Sequence, residues 1–314
     1  MITLQLNIQV KWNSANNKYV CSLLEALGHA LRTSSALRSS FAALFIQDAQ
    51  RSVTKEEQAQ HNTTLDSFLD SKVFTLVENA EVTDYSRLML PDTPTSPYRI
   101  ELAPHLLPAL TEKQHPDLIF LFLVCMVHEL AHGYTFYVRT HVRVSLGGSS
   151  HTLSACAVGD RNRDNDPTSP VPGGESGYVV EDRWIQGTLK CLVDSSCGWN
   201  WDWEAQWDQF KGFQVMDETM NMGKNEKEKF ARALDSKEVN RFVSSLLAKK
   251  DPGALRLGPL LPHDDKYIRC RSPNSTHSNT NTPRSPNTVL EGTTLVDAVN
   301  CRITRHEQNG GRGA

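Results

Sequence analysis

The sequence predicts an α+β chain with a small N-terminal sheet and its helices, one deeply buried helix, and a mainly helical C-terminal lobe. Three stretches carry that expectation. Residues 1–10 alternate apolar and polar side chains, as a half-buried strand does. Residues 118–127 form the longest continuous apolar run, which marks a helix buried on several sides. Residues 225–249 set Phe230, Leu234, Phe242, Leu246 and Leu247 among Lys, Arg and Glu, the pattern of an amphipathic surface helix. A chain of 314 residues can bury a sizeable core as one large domain or two lobes. The expected organisation is a folded domain over 1–270, with lobes of about 1–140 and 141–270, followed by a tail over 271–314.

Between these landmarks the elements follow in order. Residues 19–53 read as helix, because Leu23, Leu24, Leu27 and Leu31, then Leu37, Phe41, Leu44 and Phe45, recur near helical spacing. Residues 72–77 have the β-branched and aromatic content of a strand. The proline-rich stretch 91–97 is a loop, and 98–102 alternates like a strand before Pro104 stops it. The buried helix opens at Pro116 with Asp117 as N-cap and runs to about Val138. A loop rich in Asp, Asn, Pro and Gly fills 159–174 and is long enough to serve as a lid. Tyr178, Val179, Trp184, Ile185, Leu189 and Leu192 then suggest a second helix.

At the end of the apolar run stands His128-Glu129-Leu130-Ala131-His132. Residues four apart lie on one helix face, so His128 and His132 can aim two imidazole nitrogens at one metal ion. Glu129 is turned by about 100° from His128 and can reach a metal-activated water as general base. A catalytic zinc takes three protein ligands and leaves a fourth place for water, so one ligand is still needed. The extended pattern with glycine three and histidine six residues beyond the second histidine is absent, since Thr135 and Val138 stand there. His141 falls on the opposite face of a continued helix. The third ligand is expected at Glu175, in the first turn of the second helix, where Gly174 and Gly177 allow close approach to Ala131 and Gly133. Glu181 is the alternative, as ligand or as a partner that orients a histidine. Six helical steps separate the two glutamates by about 240°, so they cannot both face one ion.

His128, Glu129 and His132, followed by Gly174-Glu175-Ser176-Gly177, resemble the gluzincin group of zinc metallopeptidases. The combination is also similar to uncharacterised fungal HExxH proteins with a Gly-Glu-(Ala/Ser)-Gly element. The resemblance covers roughly residues 98–190. It departs from thermolysin-like proteins in lacking an Asn-Glu-x-x-Ser-Asp signature. It implies a zincin-like fold, one Zn2+ ion, a peptide or protein substrate and peptide-bond hydrolysis. In zinc peptidases an edge strand beside the active-site helix pairs with extended substrate. Residues 98–102 are candidates for that role or for an ordinary core strand. The rival expectation is a non-catalytic protein that uses such a fold to bind partners.

Other features bound the function classes. A formal net charge of −3 provides no field that would favour nucleic acid or an anionic membrane. The apolar run is too short to span a bilayer, so no membrane span is expected. The N-terminus lacks the basic and continuous apolar regions of a signal peptide. The seven cysteines are scattered without a CxxC pair. Both observations point to a reduced compartment, the cytoplasm or nucleus, with Cys125 a small core residue. Trp199, Trp201, Trp203 and Trp207 form either an aromatic binding wall or an anchor into the core. His263, Tyr267 and Arg269 are candidate oxyanion donors. From Arg271 the chain turns rich in Ser, Asn, Thr and Pro, with Arg-Ser-Pro-Asn at 271 and again at 284, which predicts disorder.

Overall fold

The computed structural model describes residues 8–10, 17–46, 52–80, 82, 85–89, 97–103, 106, 109–110, 115–138, 176–193, 210–216 and 230–262. Among these residues the fold is mixed α+β, with six helices and two four-stranded sheets. The order is β1 (Ile8–Val10), α1 (Asn17–Thr33), α2 (Ser35–Ile46), α3 (Lys55–Ser71), β2 (Phe74–Glu78), β3 (Ser86–Met89), β4 (Tyr98–Leu102) and α4 (Pro116–Tyr137). Then follow α5 (Ser176–Ile185), β5 (Thr188–Val193), β6 (Phe210–Met216), β7 (Phe230–Leu234), α6 (Ser236–Leu247) and β8 (Leu260–Pro262).

The first sheet has the order β1-β2-β4-β3. β2 runs parallel to β1 and β4, and β3 pairs antiparallel with β4. Register puts Phe74 beside Tyr98, and Leu76 and Leu88 beside Ile100, on one apolar face. That face is buried, and Phe68 of α3 packs edge-on against both Phe74 and Tyr134 of α4. The opposite face is polar. There Glu101 accepts hydrogen bonds from Arg87 Nε at 2.6 Å and Asn79 Nδ2 at 2.8 Å, and pairs with Arg99 at 2.8 Å. The period of two thus makes a sheet with one face for helices and one for ions.

α4 is the centre of the molecule: every residue from Asp117 to Thr135 is buried. It is long and apolar enough to cross a membrane, but the whole apolar window lies inside the fold. Its N-cap is His115, whose Nδ1 accepts the Asp117 N–H, and Pro116 occupies the first turn. Asp117 is therefore a first-turn residue and not the cap; burial raises its pKa. α2, α3, α5 and α6 pack around α4. Ser34 separates α1 from α2, so the predicted helix over 19–53 is two. Arg38 ties α2 to α3 through a forked pair with Asp66, at 2.8 and 3.1 Å.

The C-terminal lobe departs most from expectation. It is not mainly helical, because it carries the antiparallel sheet β5-β6-β7-β8 beside α6. Leu189 and Leu192 do not extend α5. Gln186 and Gly187 have φ of 64° and 146°, which ends the helix and turns the chain into β5. Gly187 is required there, as a Cβ would lie 2.3 Å from the Met216 carbonyl oxygen. Phe230 and Leu234 lie on β7, while Phe242 and Leu246 lie on α6 and pack inward, Phe242 against Phe120. The lid loop, the tryptophan cluster, His141, His263, Tyr267, Arg269 and the tail all lie outside the described residues.

His61 of α3 illustrates how the helical layer is held. Its Nε2–H donates to the Arg38 carbonyl and its Nδ1 accepts from the Tyr134 hydroxyl, both at 2.9 Å. Burial is the main cause of a pKa lowered from 6.5 to about 4. The folded state thus refuses a proton that the unfolded chain accepts. Its contribution is fully present above pH 6.5 and is lost as pH falls towards about 4. The expected loss is roughly 3 kcal/mol across that window. Urea unfolding at pH 7 and pH 4.5 checks this: His61→Gln should lose less stability between the two pH values than the wild type does.

Candidate functional site

On α4 the helical repeat brings His128 and His132 one turn apart, with ring centroids 5.0 Å from each other and planes inclined by 58°. His128, Glu129 and His132 are 0, 0 and 1 % exposed. Two elements reach this face of α4 from opposite directions: α5 touches the histidine, and β3 touches the glutamate.

α5 approaches through Gly177. A Cβ at that position would lie 2.2 Å from both Cδ2 and Nε2 of His128 and 2.3 Å from Cε1. Such nearly equal distances put it over the face of the ring, so α5 lies flat on the imidazole. Tyr178 meets the same ring edge-on, with centroids 5.0 Å apart. One turn along, Glu181 is fully buried and its Oε1 lies 2.6 Å from His128 Nδ1. With Nδ1–H donating to the carboxylate, a neutral His128 ring keeps its lone pair on Nε2. Glu181 Oε2 accepts the Leu189 N–H at 3.2 Å. Each oxygen of Glu181 thus has a partner within the protein. Thr135 Oγ1 and Ser176 Oγ, 2.8 Å apart, join the two helices one turn further on.

β3 approaches through Ser86, which is 1 % exposed. Its hydroxyl donates to Glu129 Oε1 at 2.6 Å. The strand beside the motif is thus β3 rather than residues 98–102. β4 has β2 on one side and β3 on the other, and β3 is an edge strand, as β1 is at the other end, among the described residues. Cys125, one turn before Glu129, keeps its proton. Burial raises its pKa, the negative charges of Glu129 and Glu181 add to this, and a hydrogen bond with Ser86 works the other way.

Of the expected site residues, the structure brings together His128, Glu129, His132 and Glu181. Glu175 lies outside the described residues, while its neighbours Ser176 and Gly177 lie against Thr135 and His128. Among the described residues no group of three or more His, Cys, Asp or Glu is arranged to hold a metal ion. Gly133 does not face α5; a Cβ there would meet Phe68, Phe74 and Leu88. Ser86 and Tyr178 were not legible as site residues. Ser86 sits in a four-residue strand, and nothing in its neighbours marks it as polar by purpose. No family model, curated protein or solved structure matches the chain, so the gluzincin resemblance rests on the motif residues alone.

The two glycines separate close approach from ordinary packing. Gly177→Ala should destabilise by about 1–3 kcal/mol through overpacking, lowering the melting temperature by several degrees. At Gly133 the nearest contact is the tip of Phe68 at 3.3 Å. The helix propensity of alanine, up to about 1 kcal/mol, should offset most of that crowding in Gly133→Ala. Thermal unfolding of both variants checks the difference; equal losses would show that Gly177 is not the point of closest contact.

Proposed function

We propose that the protein is a zinc-dependent, metallopeptidase-like hydrolase of zincin-like fold. The observation that supports this most is the His128–His132 pair with the Glu181 carboxylate on Nδ1 of His128. A ring whose Nδ1–H is fixed by a carboxylate presents the basic Nε2 that a zinc ion takes, with the ring orientation already set. Two buried imidazoles with such an orienting partner fit zinc chemistry. On this reading Glu181 orients and Glu175 supplies the third ligand, since the Glu181 carboxylate meets Nδ1 of His128, the ring nitrogen turned away from an ion on Nε2. The proximity of Ser176 and Gly177 to α4 supports the same choice.

A bound zinc ion would bring the pKa of a water towards about 7 and polarise the scissile carbonyl. Glu129 then takes the proton of the attacking water and delivers it to the leaving amine as the C–N bond breaks. The buried surroundings keep the carboxylate from being solvated by bulk water. A second reading keeps the metal and drops the chemistry: a zinc-stabilised fold that binds partners. The near-complete burial of all three motif residues favours it, because a substrate must reach Glu129.

Purified protein should contain one zinc per chain by elemental analysis, and His128→Ala should lose it. Glu175→Ala should also lose stoichiometric zinc, whereas Glu181→Ala should weaken binding by about 10–100-fold. If Glu181→Ala empties the site and Glu175→Ala does not, the ligand choice is reversed. Glu129→Gln should keep zinc and lose hydrolysis of a labelled casein by at least about 100-fold. Unchanged hydrolysis in that variant overturns the catalytic assignment, and a zinc-loaded but inactive wild type favours the binding reading.

A further inference from the structure

The Ser86 hydroxyl reaches Glu129 from outside α4, and it comes from an edge strand of the sheet. The contact is 2.6 Å between two groups that are 1 % and 0 % exposed, the length of an O–H donor on a carboxylate. Its backbone is fixed on the β4 side. Register pairs Ser86 with Leu102, and the Ala103 N–H donates to the Tyr85 carbonyl at 2.9 Å. On the same face of β3, Leu88 is buried against the sheet, so the strand cannot slide without moving apolar packing. A glutamate on a helix has three side-chain torsions to settle, and one strong donor on Oε1 settles where its carboxylate points.

We propose that Ser86 is the positioning residue of Glu129: its hydroxyl holds the carboxylate in the orientation from which it removes the water proton. This rests on the hydrolase reading above. It makes β3 more than a wall of the site, because any displacement of the edge strand is transmitted to the base through one hydrogen bond. A segment that pairs with β3 would therefore act on Glu129 as well as on the strand.

Two measurements test it. In metal-free protein, Ser86→Ala should lower the unfolding midpoint by about 4 °C or more, and by less than half as much beside Glu129→Ala. Equal effects in both backgrounds overturn the contact. The second measurement uses zinc-loaded protein and the internally quenched peptide that the wild type cuts fastest from a mixed-sequence set. Ser86→Ala should lose about 10–100-fold in kcat, with KM and zinc content within twofold, and Ser86→Thr should restore most of it. An unchanged kcat, or zinc lost in step with activity, overturns the positioning role while the hydrolase reading stands. A wild type without zinc or hydrolysis overturns that reading and the positioning role together, whatever the unfolding data show.

Discussion

The carboxylate–imidazole contact between Glu181 and His128 is the constraint around which the two halves of the molecule are arranged. Both side chains are withdrawn from water, and a carboxylate so placed loses several kcal/mol of hydration unless its oxygens are matched. Matching requires three elements at once. α4 supplies the ring, α5 supplies the carboxylate, and the first residues of β5 supply the Leu189 N–H that donates to it. The geometry can be met only if α5 lies against the ring face, which Gly177 permits, and if the chain reverses directly after Ile185. Gln186 and Gly187, both at positive φ, make that reversal. The second sheet is thus hung from the site, not merely placed beside it.

Much of the first half was legible, and the reasons differ by element. α4 could be read because its apolar residues run all round and are followed by two histidines at helical spacing. β4 could be read because Tyr98, Ile100 and Leu102 face one way and Arg99 the other. β5 was read as helix, because Leu189 and Leu192 continue the three- and four-residue spacing of Trp184 and Ile185, and this outweighed the short alternation over 188–191. β7 was absorbed into a helix because Phe230 and Leu234 are four apart, a spacing common to a strand's period of two and a helical turn. α3 carries a capping box, Thr54 with Glu57, but one member of its buried face is His61, which reads as polar until its partners are known.

The site divides in the same way. The histidines and Glu129 follow from a local pattern, because a helix alone decides which of its residues share a face. Glu181 was open to two roles that no spacing separates: ligand or orienting partner. The choice depends on which atom of His128 it meets, a fact of tertiary packing. Ser86 lies 43 residues before Glu129, in another layer of the fold, and only the antiparallel pairing of β3 with β4 brings its hydroxyl there.

The distribution of polar groups in this core bears on what the core is for. An apolar replacement of a buried ion pair is commonly as stable as the pair or more so. Here two imidazoles, two carboxylates and a serine hydroxyl share the interior with Leu130, Val127 and Val180, all fully buried. Hydrogen bonds from Ser86 and Leu189 offset part of the desolvation of the carboxylates, and the His128–Glu181 contact offsets another part. A cation held by the two rings would offset more, because it places positive charge where Glu129 and Glu181 both place negative charge. On the zinc reading proposed above, packing and chemistry make one demand on α4, which carries His-Glu-Leu-Ala-His within its buried length.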